Sequence, residues 1–134
     1  LQGENQMISP ITWLSKKLSR VTKSPLASET LALGDVGDAG YMIASMVQEI
    51  NCLPILPLVI CRTDNQSLME TLHTTKIIKD TRLRVDIARL REMVQRKEVT
   101  VEWIEGKDQL ADVMTKCGAT AIKLIEALET SRLF

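Results

Sequence analysis

The sequence has few aromatic residues, a single histidine and no excess of either charge. Its aromatic residues are Trp13, Tyr41, Trp103 and Phe134, which is few for a protein that binds single strands by base stacking. With His73 as the one histidine, a Ser-His-Asp or Cys-His hydrolase has little basis. The 17 basic and 17 acidic residues give a formal net charge of zero, so overall charge predicts no partner.

Cysteine is also scarce, and long apolar runs are missing. Cys52, Cys61 and Cys117 are far apart and odd in number, without zinc-site spacing, so we interpret them as reduced thiols of an intracellular protein. No apolar run approaches 18 residues and no secretory leader is seen, so we predict neither a membrane span nor secretion. A chain of 134 residues with 45% hydrophobic content is long enough for one packed domain.

The first half predicts a strand followed by a long helix. Residues 11–21 alternate imperfectly between apolar and polar side chains, which predicts an exposed or edge strand. Ser24 before Pro25 predicts a helix start. The predicted buried stripe of that helix comprises Ala32, Val36, Ala39, Ile43, Met46 and Ile50. Three glycines interrupt the helix, and either weaken it or mark a close approach of its backbone: Gly34, Gly37 and Gly40.

The second half alternates short strands with helices. We predict strands over 58–63 and 99–104, with helices over 66–73 and 80–97. The second strand is predicted to place on one face Val99, Val101 and Trp103. The apolar stripe predicted for the helix over 80–97 comprises Leu83, Ile87, Leu90 and Val94. Asp108 is predicted to cap a short helix. That helix covers 109–116. A last helix is predicted to be capped by Thr120, with one side formed by Ala121, Leu124, Ile125 and Leu128. This order is typical of an α/β fold with some parallel pairing.

Three acidic residues lie at the edges of predicted buried segments: Glu29, Asp64 and Asp112. Hydrolysis of a phosphodiester by two divalent ions needs several carboxylates close together, because the ions lie about 3.5–4 Å apart and prefer oxygen ligands. Each residue also has a structural interpretation. Asp64 suits a helix N-cap, Glu29 a first-turn acid favoured by the helix dipole, and Asp112 the surface of a short helix.

Four motifs strengthen the chemical interpretation: PITWLSKK (10–17), SETLAL (28–33), TDN (63–65) and QLADVMTK (109–116). In this order they closely resemble the ribonuclease H region of copia-type LTR retrotransposon Pol polyproteins, and QLADVMTK is the most specific. The resemblance implies a ribonuclease H-like α/β fold, with a mixed sheet flanked by helices. Residues 1–117 would form this domain, and 118–134 a C-terminal helical extension.

The resemblance implies endonucleolytic cleavage of the RNA strand of RNA–DNA hybrids during reverse transcription. Glu29, Asp64 and Asp112 match the acids that bind the family's catalytic Mg²⁺, with Mn²⁺ as an alternative ion. The implied partners are an RNA–DNA hybrid and the reverse transcriptase domain of the same polyprotein, with no membrane. The implied location is intracellular: cytoplasm, virus-like particle or nucleus. The alternative is a non-catalytic, retroelement-derived remnant that acts as an interaction or nucleic-acid-binding module.

The sequence also departs from the family. A first strand with a further metal-binding aspartate, and most of the second strand, are expected before Leu1, so residues 1–134 alone are predicted to be inactive. The family's histidine-containing stretch before the helix at Asp80 has no counterpart here. The segment from Lys76 to Lys97 contains eight basic residues and three acidic residues. This surplus of positive charge favours a phosphate-binding surface. The predicted nucleic-acid-binding residues are Lys16, Lys17, Arg20, Asn65, Arg82, Arg84 and Arg89.

Overall fold

The computed structural model describes residues 8–75, 77–114 and 121–131. Within them the chain is an α/β protein with four α-helices and two strands. In chain order these are α1 (Pro25–Ile50), β1 (Ile60–Thr63), α2 (Gln66–His73), α3 (Thr81–Gln95), β2 (Thr100–Trp103) and α4 (Ile122–Thr130). Two 3-10 helices, Gly106–Asp108 and Leu110–Met114, precede α4. The chain divides into two compact units, one of residues 18–103 and one of residues 1–17 with 104–134.

Side-chain caps fix where the first three helices begin. The Ala27 N–H donates to Ser24 Oγ at 3.2 Å at the start of α1, where Pro25 occupies the first turn. The Leu68 N–H donates to Asn65 Oδ1 at 3.0 Å. Asp80 Oδ1 accepts from two N–H groups at the start of α3. These bonds satisfy donors that have no partner within the helix, and they confirm the predicted starts of α1 and α3.

The two strands pair in parallel and bury one face. Ile60 pairs with Thr100 and Thr63 with Trp103 at the two ends of the ladder. Cys61 is buried whereas Ile60 is exposed, as side-chain alternation along a strand requires. Helices α1, α2 and α3 share with the strands a core that comprises Leu33, Cys61, Leu68, Leu83, Ile87, Leu90, Met93 and Val99.

The buried face of α1 differs from the predicted stripe. Val36 and Met46 are 56% and 53% exposed, and Ile50 is 76% exposed. The residues that α1 buries are instead Thr30, Leu33, Gly34, Gly37 and Ala44. The prediction from apolar spacing was wrong because glycines form part of the buried face. A glycine has no apolar side chain, so apolar spacing does not reveal it.

Two glycines mark the close approach of α1. A Cβ added at Gly40 would lie 2.7 Å from Val59 Cγ1, and one added at Gly37 would lie 2.9 Å from Met93 Cε. Real Cβ atoms essentially never come this close to another heavy atom. The second interpretation of these glycines, a close backbone approach, is therefore confirmed at both positions.

The strand predicted over 11–21 is wrong. The chain there forms neither helix nor strand, and Trp13, Leu14 and Val21 are 73%, 73% and 89% exposed. Apolar side chains that pack against nothing give no reason for a ladder to form, so the imperfect alternation carried no strand signal.

The unit of residues 1–17 with 104–134 contains the 3-10 helices and α4. Asp108 does not cap a helix, since it ends the first 3-10 helix and forms an ion pair with Lys123. This pairing lowers the pKa of the Asp108 carboxyl. The predicted helix over 109–116 is a 3-10 helix over Leu110–Met114. Thr120 and the predicted boundary at residue 117 lie outside the described residues.

The buried face of α4 is also corrected. Ala127 is its buried residue, whereas Ile125 and Leu128 are 48% and 47% exposed. The Ile8 N–H donates to Ser131 O at 2.6 Å just beyond the end of α4. The short helix therefore presents a small residue to its neighbours and leaves larger apolar side chains exposed.

Candidate functional site

Asp64 lies at the carboxyl end of the parallel strand pair. It follows Thr63, the last residue of β1, and its side chain is exposed. The N-cap of α2 is Asn65, so the interpretation of Asp64 as that cap is wrong. The backbone oxygen of Asp64 accepts a hydrogen bond from Trp103 Nε1 at 3.2 Å. Its position is therefore fixed through the main chain, and its carboxylate is not used for capping.

Glu29 lies near the start of α1. It is the fifth residue of the helix, just beyond the first turn, so its interpretation as a first-turn acid is wrong. Its side chain is half-buried. The helix is held against the core around it by Leu26 and Leu33. Glu29 thus projects from a packed element.

The direction of α1 relative to β1 relates Glu29 to Asp64. Gly40 lies against Val59, just before β1, whereas the earlier Leu33 shares the core with Cys61 inside β1. From these two positions we infer that helix and strand run in opposite directions. From Gly40 back to Glu29 the helix spans about 16 Å, and from Val59 on to Asp64 the strand also spans about 16 Å. We infer that both acids lie at the end of this layer where the strands end.

Asp112 lies in the other compact unit. It is half-buried in the 3-10 helix Leu110–Met114, and its N–H donates to Gln109 O at 3.1 Å. Across residues 8–75, 77–114 and 121–131, no group of three or more His, Cys, Asp and Glu residues is arranged to hold a metal ion. Of the three predicted acids, Glu29 and Asp64 share the unit of residues 18–103.

Several predicted nucleic-acid-binding residues are engaged within the protein. Arg20 forms an ion pair with Asp86, and Arg89 forms one with Asp38. Asn65 Oδ1 serves as the α2 cap. Arg20 and Arg89 are tied to acids of α3 and α1, so these two side chains present less free donor capacity than the sequence suggests.

The remaining predicted basic residues differ in their surroundings. Arg84 donates from Nε and Nη2 to Ile78 O at 3.0 and 2.9 Å, which ties α3 to the chain that precedes it. Lys16, Lys17 and Arg82 are exposed. Those three side chains stand on the surface, where a phosphate backbone could reach them.

A groove beside Asp64 escaped the sequence prediction. It has a volume of about 620 Å³ and is lined by Gln66, Met69, Glu70, His73, Thr74 and Trp103. Strand alternation predicted Trp103 on the same face as Val99 and Val101, but Trp103 is 47% exposed whereas Val99 is buried. One signal was present in the sequence: a Trp at a strand end, whose N–H needs a partner.

The two described cysteines show no sign of nucleophilic activation. Burial raises the pKa of the Cys61 thiol, so it stays protonated in the core. Cys52 is exposed, and both are free thiols. Cys117 lies outside the described residues.

No protein-family model matches the sequence, and searches of curated proteins and of solved structures gave no match. Within the described part of the chain, none of the helices combines the length and the apolar character needed to cross a membrane.

Proposed function

We propose that this chain forms part of a ribonuclease H-like nuclease that cleaves the RNA strand of RNA–DNA hybrids. The observation that carries the proposal is the position of Asp64 at the carboxyl end of the parallel strand pair, and Glu29 is inferred to lie at the same end. Ligands of open α/β sheets characteristically bind at that end. The copia-type motifs support the same assignment, with Asp112 as a further acid.

The pair of carboxylates fits a divalent cation. Carboxylate oxygens are preferred ligands of Mg²⁺ and Mn²⁺, and both acids stand on elements held by a shared core. Such ligands need little rearrangement on binding. Glu29 and Asp64 would hold the ion, which supplies Lewis-acid chemistry for phosphodiester hydrolysis. The carboxylates would position the ion. When the site is empty, they would repel an anion such as a phosphate group.

Hybrid binding would rely on the exposed cations, Lys16, Lys17 and Arg82. A hybrid-cutting enzyme must ignore sequence, so contacts to phosphates and to the shape of the duplex suffice. The partner domain would be the reverse transcriptase of the same polyprotein, and the location intracellular. Binding through these residues should weaken steeply as salt rises.

Asp64→Asn tests the proposal, with Asp38→Asn as its matched control. Both substitutions remove one exposed carboxylate, but Asp38 lies in the middle of α1 and pairs with Arg89. We expect Mn²⁺ binding, measured by water-proton relaxation, to be lost in Asp64→Asn and Glu29→Gln. Mg²⁺-dependent cleavage of a labelled hybrid is measured in a longer chain that includes the expected first strand, and should be lost in the same two variants. Asp38→Asn should keep both activities. A folded chain that does not bind Mn²⁺ would refute the metal site.

A non-catalytic nucleic-acid-binding module is the second candidate. One observation favours it: within the described residues, no three candidate ligands come together to hold a metal ion. This candidate predicts salt-dependent hybrid binding that is equal in the parent chain and in Asp64→Asn, with no cleavage in Mg²⁺ or Mn²⁺. Cleavage that Asp64→Asn abolishes would exclude it.

A further inference from the structure

The groove between α2 and β2, hereafter the α2–β2 groove, has a floor fixed to Asp64. Trp103 ends β2 and pairs in register with Thr63. Its Nε1–H donates to the Asp64 carbonyl at 3.2 Å, while 47% of the residue remains exposed. The hydrogen bond restricts the ring to one orientation. A half-exposed, oriented indole is thus available for contact directly beside a proposed metal ligand.

The opposite wall of the groove is also held in place. Arg91 reaches from α3 to the C-terminal end of α2, where its Nη2 donates to Thr71 O at 2.6 Å and to Thr74 O. Its Nε is buried and has no hydrogen-bond partner among the described residues. This contact secures the carbonyls that end α2, next to the wall residues His73 and Thr74. The α2–β2 groove is therefore built from two anchored elements.

The chemistry of the lining suits the base and ribose of a nucleotide better than its phosphate. Trp103 and Met69 supply an apolar surface, and Gln66, Glu70 and His73 supply hydrogen-bonding groups. Among the described residues the lining includes no Lys or Arg, and the Glu70 carboxylate disfavours a phosphate. Aromatic faces stack on bases and sugars whatever the sequence, and a carboxylate or amide oxygen accepts from a 2′-hydroxyl.

We propose that the α2–β2 groove binds the ribose and base of one nucleotide of an RNA strand, packed against Trp103. The proposal deepens the proposed function, on which it rests for the identity of the strand that passes Asp64. Trp103 then contacts the substrate. Its hydrogen bond to the Asp64 carbonyl couples the position of that nucleotide to the position of the acid.

The test measures binding without metal, so that it does not depend on cleavage. In a Trp13→Phe background Trp103 is the single tryptophan, and its fluorescence is titrated in EDTA with an oligoribonucleotide and with an RNA–DNA hybrid. We expect saturable quenching by RNA in either form, and weaker quenching by a DNA oligonucleotide of the same sequence. Equal affinity for RNA and DNA would overturn the assignment of the ribose.

Substitution then assigns the contact to Trp103. By fluorescence anisotropy of labelled RNA, Trp103→Leu should bind roughly 5- to 150-fold more weakly, the range for loss of one base–aromatic stack. Trp103→Phe keeps a ring without the N–H, and should recover part of that loss. Tyr41→Leu is the matched control, since Tyr41 is 40% exposed on α1, and it should bind as the parent does.

The outcomes separate this proposal from the nuclease itself. RNA binding that is unchanged in a folded Trp103→Leu variant overturns the groove but leaves metal-dependent cleavage untouched. Binding that depends on Trp103, without cleavage in any metal by the longer chain that includes the expected first strand, supports the groove and refutes the nuclease. Failure of the parent chain to bind RNA or hybrid overturns the groove. Circular dichroism confirms that each variant is folded.

Discussion

Helices α1 and α3 pack into one hydrophobic core by different means. α3 inserts large side chains, with Leu83, Ile87 and Leu90 all buried. α1 brings its backbone close instead, and Gly37 and Gly40 make room for Met93 and Val59. Side-chain packing leaves a periodic apolar pattern in the sequence. Backbone packing leaves glycines, which interrupt that pattern. The two contacts should therefore respond in opposite ways to added and removed methyl groups.

The helices also differ in charge. All charged residues of α1 are acidic, whereas α3 carries four arginines. An ion pair between Asp38 and Arg89 joins the two helices. Because both side chains are about half exposed, this pair contributes at most about 1 kcal/mol. The contrast in charge therefore affects which ligands each helix attracts more than it affects the stability of the fold.

Removal of side-chain volume from α3 should have the largest effect. Ile87 is 0% exposed within the core, so Ile87→Ala is expected to lower the free energy of unfolding by about 2–5 kcal/mol through lost burial and a residual cavity. Urea denaturation measures it. Val85→Ala on the exposed side of α3 should change stability by less than about 0.5 kcal/mol. Equal effects at the two positions would mean that α3 does not pack as described.

Added volume on α1 should be the next largest effect. Gly40→Ala places a Cβ 2.7 Å from Val59 Cγ1, and the branched side chain of Val59 has little freedom to move. We expect a net loss of about 1–2 kcal/mol, since overpacking costs more than the roughly 1 kcal/mol gained in helix propensity. Denaturation of the Gly40→Ala, Val59→Ala double variant checks the cause. If Val59→Ala does not rescue part of the loss, the clash is not its source.

The predictable part of the fold follows from this difference between the helices. The bounds of α2 and the Leu83, Ile87 and Leu90 stripe of α3 were predicted correctly, because capping and apolar spacing are local properties. The buried face of α1 was not, since the glycine contacts depend on residues such as Val59 that are distant in sequence. Periodicity cannot reveal such a neighbour.

The candidate site divides in the same way. The position of Asp64 at a strand end was predictable from the chain around it. The relation of Glu29 to Asp64 depends on how α1 crosses β1, which a set of motifs does not specify. The exposure of Trp103 was missed because alternation predicts a face and says nothing of what covers it. That Glu29, Asp64 and Asp112 together bind a metal stays a prediction.

Gly34 sharpens the comparison within α1 itself. It is buried, but a Cβ added there would have Arg89 Nη1 as its nearest neighbour at 4.0 Å, an ordinary contact. Gly34→Ala is therefore expected to raise the free energy of unfolding by up to about 1 kcal/mol, through lower entropy of the unfolded chain. Thermal melting beside Gly40→Ala gives the test. Destabilisation at both positions would show that the whole glycine face of α1 is tightly packed.

The smallest expected effect comes from the caps, which differ in their response to pH. Ser24 caps α1 and does not titrate, whereas Asp80 caps α3. The hydrogen bond from the Leu83 N–H lowers the pKa of the Asp80 carboxyl, with a further contribution from the Arg82 N–H. Because the folded pKa lies below the unfolded value of about 3.9, the ionised cap stabilises the fold above that value, and this contribution is lost as the pH falls through the folded pKa.

Asp80→Asn should therefore retain stability at neutral pH, since asparagine caps as well as aspartate, and should lose less stability than the parent on acidification. Ser24→Asp should do the reverse by adding a titrating cap to α1. Urea denaturation at pH 7 and pH 3 measures both variants against the parent. If Asp80→Asn and the parent lose the same amount between these pH values, other carboxylates govern the acid sensitivity. The caps of α1 and α3 would then contribute equally little to the dependence of stability on pH, although only Asp80 titrates.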